Sequence, residues 1–445
     1  MKESVSAILI HENDFFIIQR QNYLKAFPGY YSFPGGKVDK EDHDFAVELG
    51  CEDIENYLLV ALRRELQEEL GIDLLELKNE GLIVDIVKFA SAVTPDFNPH
   101  RFKNHYFKVI LKQRLDLKAE EGEAQKSLWI NSHSALEQYN HSEMLVVPPM
   151  ITILNDLDRD IHSKVEIDPN LKYDSETEVP LIIPVAGVRQ FLPLSNTFPP
   201  ANRTNSFLLG DSGQKMVLVD PSPKCNEELN KFYNSLSRYN IDLIFLTHHH
   251  PDHHQFATDM AMKFQCPLMM SADTQARIME KYGVDYFADV ELQLAKEGDI
   301  LTISGGHEID IISTPGHDEG QLTLIRKDKA WAIVSDLIQT IGTVVIGGDE
   351  GDMNKYFRSL ERVINIDPLN IFPSHGIGMG GTHKLKETLK HRLIREKQVN
   401  ELKERGLGLR EMLAEIYPEL PERLHKYALL TIEAHLQKIE QVGLN

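Results

Sequence analysis

The chain has 445 residues, room for two or three domains, and its 42% hydrophobic content is enough for globular cores. A net charge of −21 argues against general attraction to nucleic acid or anionic membrane, although a local basic face stays open. Cys51, Cys225 and Cys266 are too scattered for a disulfide framework or a cysteine zinc site. They fit a reducing compartment. The N-terminus lacks a basic leader with an apolar core, and no apolar run reaches membrane-spanning length. The expectation is a soluble, cytoplasmic protein with no membrane partner.

In chain order, Val5–Ile10 and Phe15–Ile18 read as strands around a turn at Glu12-Asn13-Asp14. Phe33-Pro34-Gly35-Gly36 follows, and its glycines permit tight turns. Tyr57–Leu70 has helical periodicity, with Leu58, Leu59, Leu62, Leu66 and Leu70 on one face and Gly71 as the C-cap. On that helix Glu65, Glu68 and Glu69 share a face. Clustered carboxylates repel one another unless a cation sits between them, and oxygen-only ligation suits Mg²⁺ or Mn²⁺ working with phosphates. A solvated glutamate face is the plain alternative.

Arg64-Glu65-Leu66-Gln67-Glu68-Glu69-Leu70-Gly71-Ile72 resembles the core of the Nudix box, with Gly36 as its opening glycine. The stretch between Gly36 and Arg64 is about twice the usual length. Arg20, Lys25, Gly29 and Phe33-Pro34-Gly35-Gly36 are similar to the coenzyme A diphosphatase branch, which usually has arginine where Lys25 stands. The resemblance implies an α/β/α sandwich over residues 1–157. It also implies that Glu65, Glu68 and Glu69 are catalytic and hold Mg²⁺ or Mn²⁺, directing water onto a coenzyme A-like or nucleotide diphosphate. Residues 81–87, 105–111 and 127–130 read as further strands, and 94–102 as a loop that either lines a pocket or simply connects. Residues 158–179 are polar and read as a linker.

From Pro180 the pattern changes to alternating strands and helices: strands at 205–210 and 216–221, a helix at 226–239, a strand at 241–246. That last strand leads into Thr247-His248-His249-His250-Pro251-Asp252-His253-His254. In a loop at a strand end, His248, His250, Asp252 and His253 can converge on two adjacent metal ions. Three more candidates end apolar runs: His317 in Thr314-Pro315-Gly316-His317, Asp336 after Ser335, and His375 in Pro373-Ser374-His375-Gly376. Rigid strands can deliver such residues to one cleft.

The order and residue types resemble the metallo-β-lactamase superfamily, in its glyoxalase II-type and nuclease-type branches. The resemblance implies an αββα sandwich over 180–383. His248, His250 and His317 would hold one metal; Asp252, His253 and His375 the second; Asp336 would bridge. The ions would be two Zn²⁺, with Mn²⁺ or Fe²⁺ as alternatives, and Asp252 would count as catalytic. His249, His254, His307 and His383 are read as non-ligands. After Gly376-Ile377-Gly378-Met379-Gly380-Gly381, helices at 384–405, 409–413 and 427–442 resemble the tail of the lactamase-β-like-2 group, a winged-helix-like unit over 384–445. The basic helix in it either packs on the catalytic domain or contacts RNA.

The fold class read from the chain is therefore α/β, two hydrolases joined in sequence. The Nudix site would cleave the diphosphate. The dinuclear site would hydrolyse an ester, foremost a thioester, through a hydroxide activated by the metals. The alternative is an endoribonuclease acting on single-stranded RNA, with Arg392 contributing to binding. A third reading keeps the Nudix domain as a ligand sensor, against which the intact Glu65, Glu68 and Glu69 count. The oligomeric state, dimer included, is left open.

Overall fold

The computed structural model describes residues 1–98 and 101–443. It forms two compact units: Met1–Lys172 with Ile183–Ala186, and Tyr173–Ile182 with the chain from Gly187 onward.

In the first unit, strand Lys2–His11 lies at the centre of a mixed sheet. It runs antiparallel to Asp14–Arg20 and parallel to Phe102–Leu111, with Lys2 opposite Phe102 and Ile10 opposite Ile110. Tyr31–Ser32 and Ala124–Asn131 pair with Asp14–Arg20, and Ile83–Val93 forms the other edge. The central strand is buried on both faces, so its residues alternate between two cores. Val5, Ala7 and Leu9 pack under the Asn56–Leu70 helix through Leu58, Leu62 and Leu66. Ile8 and Ile10 face Ser132–Asn140 and Pro148–Asp160 through Ala135, Ile153 and Leu157. This is the α/β/α sandwich. The Asn56–Leu70 helix ends at Gly71, whose φ of 69° is the left-handed cap that a side chain would strain. Of the 94–102 loop, Pro99 and His100 lie outside the described residues.

Residues 158–179 differ from the linker that their polarity predicts. The Pro148–Asp160 helix runs through the expected boundary, Ile161 and Ile167 join the core of the first unit, and Val179 is buried in a core of the second. A few apolar anchors spaced along a polar stretch fasten it down, and composition averages them away.

The second unit contains two sheets. The first has seven strands in chain order, Leu181–Ile182, Arg189–Phe191, Ser206–Leu209, Val217–Val219, Leu243–Phe245, Leu268–Met270 and Leu292–Leu294. Helices Asn226–Leu236, Ala257–Phe264 and Ala272–Tyr282 cover it through Phe232, Met260 and Ile278. The second has six strands, Ile300–Ser304, His307–Ser313, Leu322–Arg326, Ala332–Ser335, Asn370–Pro373 and Met379–Gly380. The Met353–Ile366 helix covers it through Tyr356, Leu360 and Val363. Phe207 of one sheet meets Phe372 of the other, ring centroids 6.2 Å apart, completing an αββα sandwich.

The tail helices pack onto this unit. Leu385 of the His383–Glu404 helix and Ala434 of His425–Gly443 share the core of the second sheet, while Val399, Leu402, Met412, Leu413 and Ile432 form a small core of their own. Of the two readings left open for the basic helix, Arg392 follows packing on the catalytic domain: it is 4% exposed, donates to the Val344 carbonyl and lies over the Tyr356 ring. Neighbouring charges are paired, Lys384 with Glu387, Lys403 with Glu440, Lys438 with Glu396. Among the described residues no helix is long and apolar enough to cross a membrane.

Candidate functional site

Two groups of side chains carry chemistry, one in each unit. In the first, helical spacing puts Glu65, Glu68 and Glu69 along the edge of Asn56–Leu70, but their surroundings differ. Glu65 and Glu69 are buried, whereas the Glu68 side chain is 60% exposed. Arg64 Nη1 lies 2.8 Å from Glu65 Oε1 and 3.3 Å from Glu68 Oε2, so a guanidinium occupies part of the space between carboxylates. Asp42, from the long stretch after Gly36, grips the other edge of Arg64 at 2.9 and 3.0 Å. Glu69 accepts the Gly35 N–H at 2.7 Å. A Cβ at Gly36 would fall 2.2 Å from Glu65 Oε2, which is why a bare backbone passes there. Burial, reinforced by Glu123, pushes the Glu69 carboxyl up to about 8. Glu123 sits far from the helix in sequence and carries no local signal that would have singled it out.

The second group is assembled from both sheets. Strand Leu243–Phe245 delivers Thr247 to His250, and Pro251 opens the one-turn helix Pro251–His254 that presents Asp252 and His253. His317 follows strand His307–Ser313, Asp336 follows Ala332–Ser335, and His375 follows Asn370–Pro373. His248 Nε2 and His317 Nε2 lie 2.9 and 3.0 Å from His250 Nδ1. His375 Nε2 is 3.4 Å from Asp252 Oδ2. Asp336 Oδ2 stands between the two sets, 3.7 Å from His317 Nε2, 3.7 Å from His253 Nε2 and 3.5 Å from His375 Nε2. All seven residues singled out in the sequence are thus within one cluster.

The outward-facing nitrogens explain the inward ones. His317 Nδ1 donates to the Val345 carbonyl at 2.8 Å, and His375 Nδ1 to the Arg203 carbonyl at 2.9 Å. His253 Nδ1 donates to Asp220 Oδ2 at 2.9 Å, and His250 Nε2 to Glu350 Oε1 at 2.9 Å. A neutral imidazole has one proton. With it turned outward, the inner nitrogens of His250 and His317 face each other and His248, while those of His253 and His375 face Asp252 and Asp336. His253 Nε2 and Asp336 Oδ1 are buried without a hydrogen-bond partner. Such a set of donors fits divalent cations, which satisfy every inward lone pair at once.

Asp220 went unrecognised in the sequence. It ends the apolar strand Val217–Val219 with a φ of 46°, and its carboxylate also holds the Thr247 N–H and hydroxyl at 2.8 and 2.6 Å. A carboxylate ending a buried strand was the available signal. His249 is not among the seven, and it joins a second group with Asp318, Glu350 and the outer nitrogen of His250. Burial lowers the His249 pKa; the two carboxylates outweigh it and raise it to about 9. His254 meets Tyr286 instead, and burial lowers its pKa to about 4.

Comparison with known proteins gives the class for both units. The NUDIX domain profile matches residues 1–146, the metallo-beta-lactamase superfamily profile 199–375, and the beta-lactamase associated winged helix domain profile 409–444. The first unit carries a Nudix domain and the second a metallo-β-lactamase domain, and the protein is a hydrolase.

Among its relatives is the beta-lactamase-like protein 2 homolog of Drosophila melanogaster, 27% identical over 256 residues, covering 54% of this chain and 83% of that protein. A hydroxyacylglutathione hydrolase of Bdellovibrio bacteriovorus is 28% identical over 163 residues, 36% of this chain and 58% of that protein, so little more than half of its length is spanned. A beta-lactamase domain protein from Burkholderia ambifaria shares the fold with a TM-score of 0.50 at 19% identity, covering 61% of this chain and 90% of that one.

Proposed function

We propose that the protein runs two metal-dependent hydrolyses, cleavage of a diphosphate in the first unit and of a thioester in the second. The observation that carries the metal-dependence of the second is the ring of imidazoles whose outer N–H groups are tied to carbonyls and carboxylates, and whose inner nitrogens crowd against one another and against Asp252 and Asp336, a set that two cations would satisfy together. His248, His250 and His317 would hold one ion, Asp252, His253 and His375 the other, with Asp336 between. Two Zn²⁺ suit this nitrogen-rich set, and Mn²⁺ or Fe²⁺ would also fit. When bound, such a pair acidifies water and polarises the bond under attack. Asp220 keeps His253 in the tautomer that ligation needs. Asp252, 15% exposed at the side chain, lies at the accessible edge and can accept a proton from incoming water. The thioester assignment rests on the hydroxyacylglutathione hydrolase relatives, since an acylated glutathione is a thioester.

In the first unit, Glu65, Glu68 and Glu69 would hold Mg²⁺ or Mn²⁺ against the substrate phosphates. With cation bound, Arg64 would release part of its hold on Glu65 and Glu68. The substrate would be coenzyme A-like or a nucleotide diphosphate, and an acylated coenzyme A offers both scissile bonds in one molecule. Free cysteines at 51, 225 and 266 accord with a cytoplasmic site of action.

The test uses the intact chain with metal analysis and four substrates: coenzyme A, an acyl-coenzyme A, a nucleoside diphosphate conjugate and single-stranded RNA. Asp252→Ala should remove thioester hydrolysis alone, and Glu68→Gln diphosphate cleavage alone. No turnover of any acyl thioester, with RNA cleaved instead, would replace the thioester reading by the nuclease one.

A further inference from the structure

The segment between Asp336 and the Met353–Ile366 helix touches two of the three histidines around His250. The Val345 carbonyl accepts from His317 Nδ1 at 2.8 Å, and Glu350 Oε1 accepts from His250 Nε2 at 2.9 Å. The second Glu350 oxygen, Oε2, lies 3.0 Å from His249 Nε2, and His249 Nδ1 is paired in turn with buried Asp318. Glu350 is therefore held from the far side while it orients His250.

The same segment is fastened by the tail helices. Arg392 of His383–Glu404 donates to the Val344 carbonyl, one residue before the carbonyl that orients His317. Val344 and Ile346 are buried in a core that includes Leu385 and Ala434 from the tail. Gly347, with φ of 147°, runs against the backbone of the last helix, where a Cβ would meet the Leu430 carbonyl oxygen at 2.5 Å. Residues 344–350 are thus bonded to Arg392 and packed against Leu430 on one side, and bonded to two imidazoles on the other.

We propose that residues 344–350 are a strap through which the C-terminal helices set the His248/His250/His317 site, with Glu350 as its positioning residue. This rests on the dinuclear reading above. In the other set, His253 is oriented by Asp220 and His375 by the Arg203 carbonyl, both outside the strap. The strap therefore tunes one ion and not its neighbour. Outer partners of ligating histidines typically change metal affinity by about 10–100-fold.

Cobalt(II) titration of the intact protein, against a competing chelator, reads both steps. Visible absorption reports the nitrogen-rich unit. Glu350→Gln keeps the shape of the side chain and should weaken one of two binding steps by about 10–100-fold, alter the absorption band, and leave the other step in place. Gly347→Ala should do the same to a smaller degree by pushing the strap off Leu430. Unchanged binding and spectrum in Glu350→Gln, or equal weakening of both steps with a native circular dichroism spectrum, would overturn the strap. A normal titration for Gly347→Ala would overturn its link to the tail. Fewer than two cobalt ions bound in the second unit of the unmodified protein would overturn the dinuclear reading itself.

Discussion

The two groups solve the problem of concentrated charge in opposite ways. The histidine cluster ties the outer nitrogens of His250, His253, His317 and His375 to fixed acceptors, which aims their inner nitrogens at one another and at the Asp252 and Asp336 carboxylates. The Nudix carboxylates carry a substitute of their own, the Arg64 guanidinium held between Glu65, Glu68 and Asp42. A site built mainly from imidazoles is preorganised by hydrogen bonds. One built from like charges needs an internal counter-ion until its cation arrives.

The largest expected break in this comparison is Asp336→Ala. The carboxylate stands between both sets, so its removal should cut thioester hydrolysis by more than about 100-fold, beyond what an outer contact costs. Diphosphate cleavage by the same preparation should be unchanged. Steady-state assays of both activities check it. Glu68→Gln should lower diphosphate cleavage by about 100-fold, the lower end of what a carboxylate handling protons or metal contributes. Because Glu68 is exposed, the Tm should hardly move, and a large drop in Tm would make its role structural.

The third contrast is in pH. Glu69 has a folded pKa of about 8, above the ordinary value of 4.5. Below about 4.5 it is protonated in both states and costs nothing. Between about 4.5 and 8 the unfolded chain ionises while the folded one does not, so stability falls by up to about 1.4 kcal/mol per pH unit. Chelator-treated protein should therefore melt at lower temperature at pH 8 than at pH 5, with Mg²⁺ relieving the loss and Glu69→Gln flattening this component in calorimetry. The smallest effect is reserved for His307, a half-exposed residue on strand His307–Ser313 beside Asp328. His307→Ala should leave both activities within about twofold, as surface changes usually do.

Local patterns were legible wherever one element carries the whole signal. The leucine face of Tyr57–Leu70, the Gly71 cap and the strand–loop–ligand order around His248, His317, Asp336 and His375 all depend on near neighbours. The αββα and α/β/α folds are what the resemblance carried by these motifs implies. Illegible were features made by meeting partners: Asp220 under His253, Glu350 behind His250, Glu123 beside Glu69. The Val345 carbonyl could not have been found at all, since every residue has one. Arg392 stayed open for the same reason. A basic helix reads alike whether its arginine faces solvent or a buried carbonyl, and only Val344 and Tyr356 decide between them.

The hydrogen bond from His375 to the Arg203 carbonyl links positions 172 residues apart. A nascent chain therefore finishes its Nudix helix, with all three glutamates in five consecutive residues, long before the last imidazole of the second centre has been synthesised. Metal capture by the complete second set would consequently be a late event, dependent on the pairing of both sheets. Uptake of the second ion would serve as a clock for the end of folding, and a chain stopped before His375 would retain the first chemistry without the second.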